Sequence, residues 1–388
     1  MTINNEHKKL NFSSEREQSQ ACLNSAEHEK NQGRKVLNVP NLRFPEFQGE
    51  WISKTIGDIA PLQRGFDLPT GQICNGKIPV VYSNGIMNHH SSYKCVAPGL
   101  VTGRSGTIGK FTYIEDGYYW PHNTSLWVTD FHDNNPKFIY YLYQTIHIEQ
   151  YSTGSGVPTL NRNNVHRHKT FIPKLKEQNK IAAFLSLLDE RISTQSKIIE
   201  DLKKLKSAIS ENLFKDVKGN IVMLSEICEI IKGKQINGEF LSESGKYYVM
   251  NGGTEPSGYY SDYNVEANTI SISEGGNSCG YIQFNPSPFW SGGHCYTIQK
   301  IADNVDNLYL YHYLKSQEDA IMKLRIGSGL PNIQKKDLAM FKIKIPAVEQ
   351  QRTISTFLSS LERKAETEEM LLNAMKKEKQ YLLRQMFI

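Results

Sequence analysis

The chain has 388 residues, 39% of them apolar and 22% charged, which suffices for two or three domains with their own cores and excludes a chain that is disordered throughout. Its net charge of +5 is too mild to imply a nucleic-acid partner by itself. With no apolar run near bilayer length, a membrane-spanning protein is excluded and a soluble, cytoplasmic one is expected.

In chain order, residues 1–37 are polar and read as a disordered extension. Residues 38–176 form the first predicted domain, entered through Val39-Pro40-Asn41-Leu42-Arg43-Phe44-Pro45 and Trp51. Strands are predicted at Ile78–Tyr82, Gly99–Thr102, Lys110–Tyr113 and Leu126–Val128, which are apolar or aromatic and bounded by Gly, Pro or Asn. A helix with a tyrosine-rich face is predicted from about Lys137 to Ile148. Residues 177–218 read as a long helix, with Ile181, Leu185, Leu188, Ile192, Ile199, Leu202, Leu205, Ile209 and Leu213 at spacings of three and four, broken by Gln195. Residues 219–347 form the second predicted domain, with strands at Tyr247–Met250, Thr269–Ile272, Gly280–Ile282 and Tyr296–Ile298 and a helix from Asp306 to Lys315. Residues 348–388 repeat the long helix with Ile354, Leu358, Leu361, Ala365, Leu372, Met375 and Leu382, broken by Glu368. Both apolar seams have coiled-coil spacing, and the two helices are expected to pack on each other antiparallel.

These parts are two copies of one unit. Gly154-Ser155-Gly156-Val157-Pro158 matches Gly327-Ser328-Gly329-Leu330-Pro331, and the register of 173 holds without a gap through Pro173/Pro346, Gln178/Gln351 and Leu188/Leu361. Upstream, Ile56, Ile59 and Arg64-Gly65 match Leu224, Ile227 and Lys232-Gly233 at 168, and Asn84-Gly85 matches Asn251-Gly252 at 167. The expected fold is therefore α+β: two duplicated α+β domains separated by two long helices, with pseudo-twofold symmetry. The copies differ in charge. Residues 51–176 carry 12 Lys/Arg against 7 Asp/Glu and are basic, whereas residues 221–346 carry 11 against 13. A polyanion on the second copy must rely on a local patch such as Arg325, Lys335 and Lys336.

Catalytic motifs fail on inspection. Thr102–Lys110 has five residues between Gly103 and Gly109, and Phe111 follows the lysine, so it lacks the spacing of a phosphate loop and reads as a glycine-rich hairpin presenting Arg104. Asn285-Pro286-Ser287-Pro288-Phe289 approximates an adenine-methyltransferase loop but carries an extra serine, with no glycine-rich methyl-donor loop upstream. His122 and His294 each follow an aromatic patch without a partnering nucleophile, so a hydrogen-bonding role is favoured over catalysis. The six cysteines form no CxxC pair and no zinc spacing, so no metal site is read, and no cofactor is expected. What remains suits binding through loops rich in Asn, Ser, Gly, Arg and His.

The paired turn–Ile-Pro–Glu/Gln-Gln motifs, together with the lead-in Val39–Phe47 and Trp51, make residues 38–388 resemble the specificity subunit of type I restriction–modification systems. That resemblance implies a non-enzymatic chain whose two target-recognition domains each read half of a bipartite double-stranded DNA target. It further implies that the helices set the gap and dock two methyltransferase subunits, with restriction–translocase subunits joining through the complex. Under it, the DNA-contact candidates are Arg64, Ser83, Asn84, Arg104, Ser105, His122 and Asn123 in the first domain, and Asn251, Glu274, His294, Lys335 and Lys336 in the second. The partner-contact candidates are Phe184, Leu188 and Arg191, with Phe357, Leu361 and Arg363. The competing readings are a stand-alone DNA methyltransferase or nuclease, and a symmetric coiled-coil scaffold that binds protein or glycan.

Overall fold

The structure is a computed structural model that describes residues 37–154, 156–327, 329 and 331–388. The extension expected over residues 1–37 thus lies, up to residue 36, outside the described residues, as do Ser155, Ser328 and Leu330 of the two turns. The chain divides into two units: residues up to Glu190 together with Lys376–Ile388, and Arg191–Met375.

In chain order, unit 1 is built from β1 (Ile52–Thr55), α1 (Ile56–Ile59), β2 (Leu62–Arg64), β3 (Ile78–Tyr82), β4 (Gly85–His90), β5 (Cys95–Val96), β6 (Gly99–Gly103), β7 (Phe111–Ile114), β8 (Tyr118–Pro121) and β9 (Ser125–Val128). Then come α2 (Pro136–Thr145), β10 (Ser152–Thr153), β11 (Thr159–Leu160), α3 (Arg162–His166), β12 (Lys169–Ile172) and the start of the long α4 (Leu175–Asp216). Unit 2 continues with β13 (Asn220–Met223), α5 (Leu224–Ile227), β14 (Glu229–Lys232), β15 (Tyr247–Met250), β16 (Tyr259–Tyr260), β17 (Thr269–Ser273), β18 (Ile282–Asn285), β19 (Trp290–Ser291) and β20 (Cys295–Gln299). It ends with α6 (Asn307–Ser316), α7 (Glu318–Met322), α8 (Lys335–Ala339), β21 (Lys342–Ile345) and the long α9 (Val348–Met386), whose last turns belong to unit 1.

The sheets repeat in order, except that β5 has no counterpart in the second sheet of unit 2. Unit 1 has an antiparallel sheet of order β2-β9-β6-β7, and unit 2 has β14-β20-β17-β18. A second sheet, β4-β3-β8-β5 in unit 1 and β16-β15-β19 in unit 2, contains one parallel pair in each, β3 with β8 and β15 with β19. A two-stranded ribbon, β1 with β12 and β13 with β21, joins the start of each unit to the strand that leads into its long helix. The central strands β6 and β17 are buried at every residue, which explains their unbroken apolar and small-residue sequences.

The short helix of each unit starts the same way. Asn135 caps α2 by accepting a bond from the Phe138 N–H, and Asp306 caps α6 by accepting from Tyr309, so Asp306 precedes the helix that was predicted to begin with it. Its tyrosines go inward: Tyr141 and Tyr143 are fully buried, and the Tyr143 hydroxyl donates to the Ala60 carbonyl at 2.6 Å. The strand predicted at Gly280–Ile282 is displaced to Ile282–Asn285. Gly280 has φ +92°, and a Cβ there would stand 2.8 Å from Met322 Cγ, so it is a turn residue rather than strand.

The glutamine of each helix-entry motif explains that motif. In unit 1 the Gln178 amide donates to Asn134 Oδ1 and the Pro173 carbonyl, both at 3.0 Å, and its oxygen accepts from the Asn135 N–H. Gln351 in unit 2 donates to the carbonyls of Asn304 and Pro346 and accepts from the Asp306 N–H. One buried side chain thereby ties the long-helix start to the short-helix cap.

The long helices run antiparallel. Within unit 2, Gln195 meets Glu368 and Lys206 meets Glu362 at 2.6 Å; within unit 1, Asp189 meets Lys379 at 2.6 Å. The last two pairs are one pair repeated, since Asp189 corresponds to Glu362 and Lys206 to Lys379. Each carboxylate also takes a tyrosine hydroxyl, from Tyr141 at 2.7 Å and from Tyr311 at 3.1 Å. The helix ends repeat too. Phe214 packs edge-on to Tyr309 and Tyr313 in unit 2, while Phe387 stacks on Phe138 and meets Trp51 edge-on in unit 1.

Candidate nucleic-acid interface

Three segments of unit 1 converge on a cleft of about 350 Å³: the end of β2 with Arg64, the hairpin after β6 with Arg104, and the start of α3 with Arg162. Chain geometry forces the convergence. Gly65 lies so close to the β8–β9 turn that a Cβ would stand 2.2 Å from the His122 carbonyl oxygen, so only glycine lets β2 end there. The Arg104 N–H donates to the Thr124 carbonyl at 2.9 Å, and its own carbonyl accepts from Leu160 at 2.7 Å, which docks the hairpin between two loops. Asn161 caps α3 and turns Arg162 toward the same cleft.

The electrostatics leave this cleft short of negative charge. Arg64 has Asp67 at 3.4 Å, an exposed pair worth little. Among the described residues, neither Arg104 nor Arg162 has a salt-bridge partner. Three guanidiniums on one cleft repel one another unless an anion sits among them, and their planar forks suit phosphate or guanine.

Unit 2 builds the same place with different charges. Gly233, like Gly65, packs against the neighbouring turn, where a Cβ would stand 2.2 Å from the Gly292 carbonyl oxygen, and it places Lys232 where unit 1 has Arg64. The Glu274 N–H donates to the His294 carbonyl at 2.9 Å and its carbonyl accepts from Ile333 at 2.8 Å, the two bonds that Arg104 makes in unit 1. Glu274 is therefore the counterpart of Arg104, and Lys335, at the start of α8, is that of Arg162. Lys232 and Lys335 also border a separate cleft of about 340 Å³, which Ser225, Cys228 and Ala339 line and Glu274 does not.

The remaining candidates divide. Asn84 is exposed on the β3–β4 turn, where its carbonyl accepts from Lys110 Nζ at 2.7 Å; Ser83 beside it and Ser105 in the hairpin are half-buried. His122 is half-buried against Tyr82, bonds Thr124 Oγ1 at 3.0 Å, and burial holds its pKa below the usual value, so it is neutral near pH 7. Asn123 donates to Asp67. Asn251 accepts from the His294 N–H at 3.2 Å, holding the loop of unit 2 rather than facing outward, whereas the side chains of His294, Lys335 and Lys336 are exposed.

One sequence match needs correction. The β3–β8 and β15–β19 pairings equate Val81 with Met250, so Asn251 stands where Tyr82 does and not where Asn84 does. The bonds His122 N–H to Val81 and Gly292 N–H to Met250 equate His122 with Gly292, which makes His294 the counterpart of Thr124. The Asn-Gly match, aligned on identity alone, is off by two residues. Sequence reading missed Arg162, although its offset of 173 from the candidate Lys335 was a usable signal.

On the helices, Phe184 and Phe357 are 39% and 45% exposed, and Arg191 and Arg363 are exposed. Leu361 is half-buried. Leu188 is buried at 7%, so it belongs to the packing of unit 1 and offers no surface.

Comparison with known proteins agrees with the repeat. The family model described as the type I restriction modification DNA specificity domain matches residues 48–204 and again 217–377, and the chain belongs to that family. A provisionally assigned type I specificity subunit of Mycoplasma pneumoniae is 34% identical over 145 residues, 37% of this chain and 38% of that protein. The EcoprrI specificity subunit of Escherichia coli is 24% identical over 195 residues, 49% and 46% of the two chains. The chain thus spans under half the length of these curated relatives. The crystal structure of the S subunit of a type I restriction–modification system from M. genitalium shares the fold, with a TM-score of 0.66 over 90% of this chain and 99% of that one at 21% identity.

Proposed function

We propose that this chain is the DNA-reading subunit of a type I restriction–modification complex. On this reading, residues 38–176 and 219–347 are target-recognition domains, each reading one half of a bipartite double-stranded DNA site. Residues 177–218 and 348–388 set the gap and dock two methyltransferase subunits through the equivalent exposed faces around Phe184 and Phe357, and restriction–translocase subunits join through the complex. Chemistry resides in those partners. The observation that carries the reading is the cleft of Arg64, Arg104 and Arg162, whose three backbone positions recur in the second family repeat as Lys232, Glu274 and Lys335. Cations at the rim hold phosphates, and the residue between them differs between the copies, as two unlike half-sites require.

The test is methylation mapping in a host carrying the chain with its methyltransferase. A split motif with a constant gap, altered in one half when residues 221–346 are exchanged for those of a relative, is the expected result. Methylation that ignores such exchanges would overturn the reading. Methyl transfer by the purified chain alone would favour a stand-alone enzyme.

A further inference from the structure

Glu274 is the least expected residue at this interface. It is buried to 6% exposure, in a place where its counterpart is an arginine. Its Oε1 accepts from Lys232 Nζ at 2.6 Å and from the Tyr296 hydroxyl at 3.0 Å. Its Oε2 has no hydrogen-bond partner among the described residues, and the imidazole His294 Nδ1 stands 3.9 Å away, beyond hydrogen-bond reach. A carboxylate oxygen out of water without a donor is costly, so such atoms are found where a ligand or a switch supplies one. The surrounding bonds hold the group in one orientation. Tyr296 and Lys232 anchor one oxygen and leave the other oriented but unfilled, while the exposed Lys232 at the rim provides positive charge.

Resting on the DNA-reading function above, we propose that Glu274 is a specificity-determining residue whose Oε2 accepts a bond from the exocyclic amino group of a base, cytosine N4 or adenine N6, in the half-site read by unit 2. Arg104 occupies the same place in unit 1 and, as a donor only, reads a base that offers acceptors, which in the major groove is guanine through O6 and N7. The two half-sites are then read with opposite hydrogen-bond polarity at corresponding positions, from one backbone scaffold. At this position the negative charge is a reading group screened by Lys232, not a surface that repels the duplex.

The experiment uses the complex of the full chain with its methyltransferase, with DNA binding to duplexes carrying each base substitution and methylation mapping in cells. In Glu274→Gln the amide can retain the Tyr296 bond, and discrimination should fall by about tenfold or more at one position of the second half-site. Testing cytosine against adenine separates the two donors; replacing the amino group by a carbonyl should mimic the loss, and where the base is adenine its 7-deaza analogue should leave binding intact. Arg104→Glu in unit 1 is the reciprocal variant and stands even if Glu274→Gln fails to fold. It should convert one position of the first half-site from guanine to an amino-bearing base. A wild-type complex with no split motif would refute DNA reading itself. A clear wild-type motif left unchanged by Glu274→Gln, or by Arg104→Glu where Glu274→Gln does not fold, would overturn this inference alone.

Discussion

Gln195 and Glu368 are the same position of the repeat, 173 residues apart, and they bond to each other: Gln195 Nε2 donates to Glu368 Oε2 at 2.6 Å and to the Glu368 carbonyl at 3.2 Å. Two equivalent antiparallel helices have one level at which a residue faces its own counterpart, and here that level carries the only polar break that the sequence shows in each seam. A polar pair inside an apolar seam fixes register at some cost in stability. Replacing Gln195 alone by Leu should destabilise by about 1–3 kcal/mol, because it strands a carboxylate. Changing both residues to Leu should recover most of that loss while loosening register. Denaturant unfolding of the four members of the cycle measures the coupling, and additive single effects would contradict it.

A pH dependence follows from His312. It is buried against Ser359, whose hydroxyl lies 2.9 Å from Nε2, with Glu362, Lys206 and Asp306 as its charged neighbours. Burial is the main cause that lowers its pKa to about 4 from 6.5. Between those values the unfolded chain binds a proton that the folded chain does not, so stability is full above pH 6.5 and is lost as pH falls toward 4, by up to about 3 kcal/mol. His312→Gln should flatten that part of the pH profile of unfolding. A slope identical to the wild type would assign the effect to other groups.

Phe214 and Phe387 each close an aromatic core, and each is almost fully buried. Phe→Ala at either should cost about 3–5 kcal/mol. Hydrogen exchange should locate the damage differently. Phe387→Ala should expose amides around Trp51 and α2, and Phe214→Ala those around α6. Equal loss of protection in both units would show that the plugs are not local.

For the clefts, Arg162→Ala should weaken binding to all duplexes alike and reduce the slope of log K against log salt by about one, as expected for a phosphate contact. Arg104→Ala should instead lose about 1–3 kcal/mol on the cognate first half-site and little on non-specific DNA. Titrations at several salt concentrations separate the two. A purely salt-dependent loss in Arg104→Ala would make it a backbone contact.

Much of this was legible in the sequence because the duplication held its register where packing is strict. Gln178/Gln351 and Asp189/Glu362 stand at a constant offset, since each sits in a hydrogen-bond network that tolerates no insertion. The long helices followed from seven-residue periodicity and lack of proline. Strands such as β1 were not legible: four residues long, with Ile52 57% exposed, it exists only because β12 pairs with it. The site resisted for a different reason. Arg104 and Glu274 share a backbone position but carry opposite charges, so no similarity marks them, while Asn84/Asn251 and His122/His294 share identity but not position. Only the hydrogen-bond ladder distinguishes the two cases. Phe214 and Phe387 kept the 173 register and were readable, had the match been followed to the helix ends.

The closing role of Phe387 has a bearing on how the chain is made. Unit 1 holds Trp51 and Phe138 ready near its beginning, but the ring that covers them is translated only after unit 2 has been synthesised. Unit 2 has the reverse order, because Phe214 leaves the ribosome before the sheet it seals. On the ribosome the second half can therefore mature first, while the first half keeps an open aromatic surface in need of shelter, so a stall late in translation would release a half-finished protein prone to capture by chaperones or by other copies of itself.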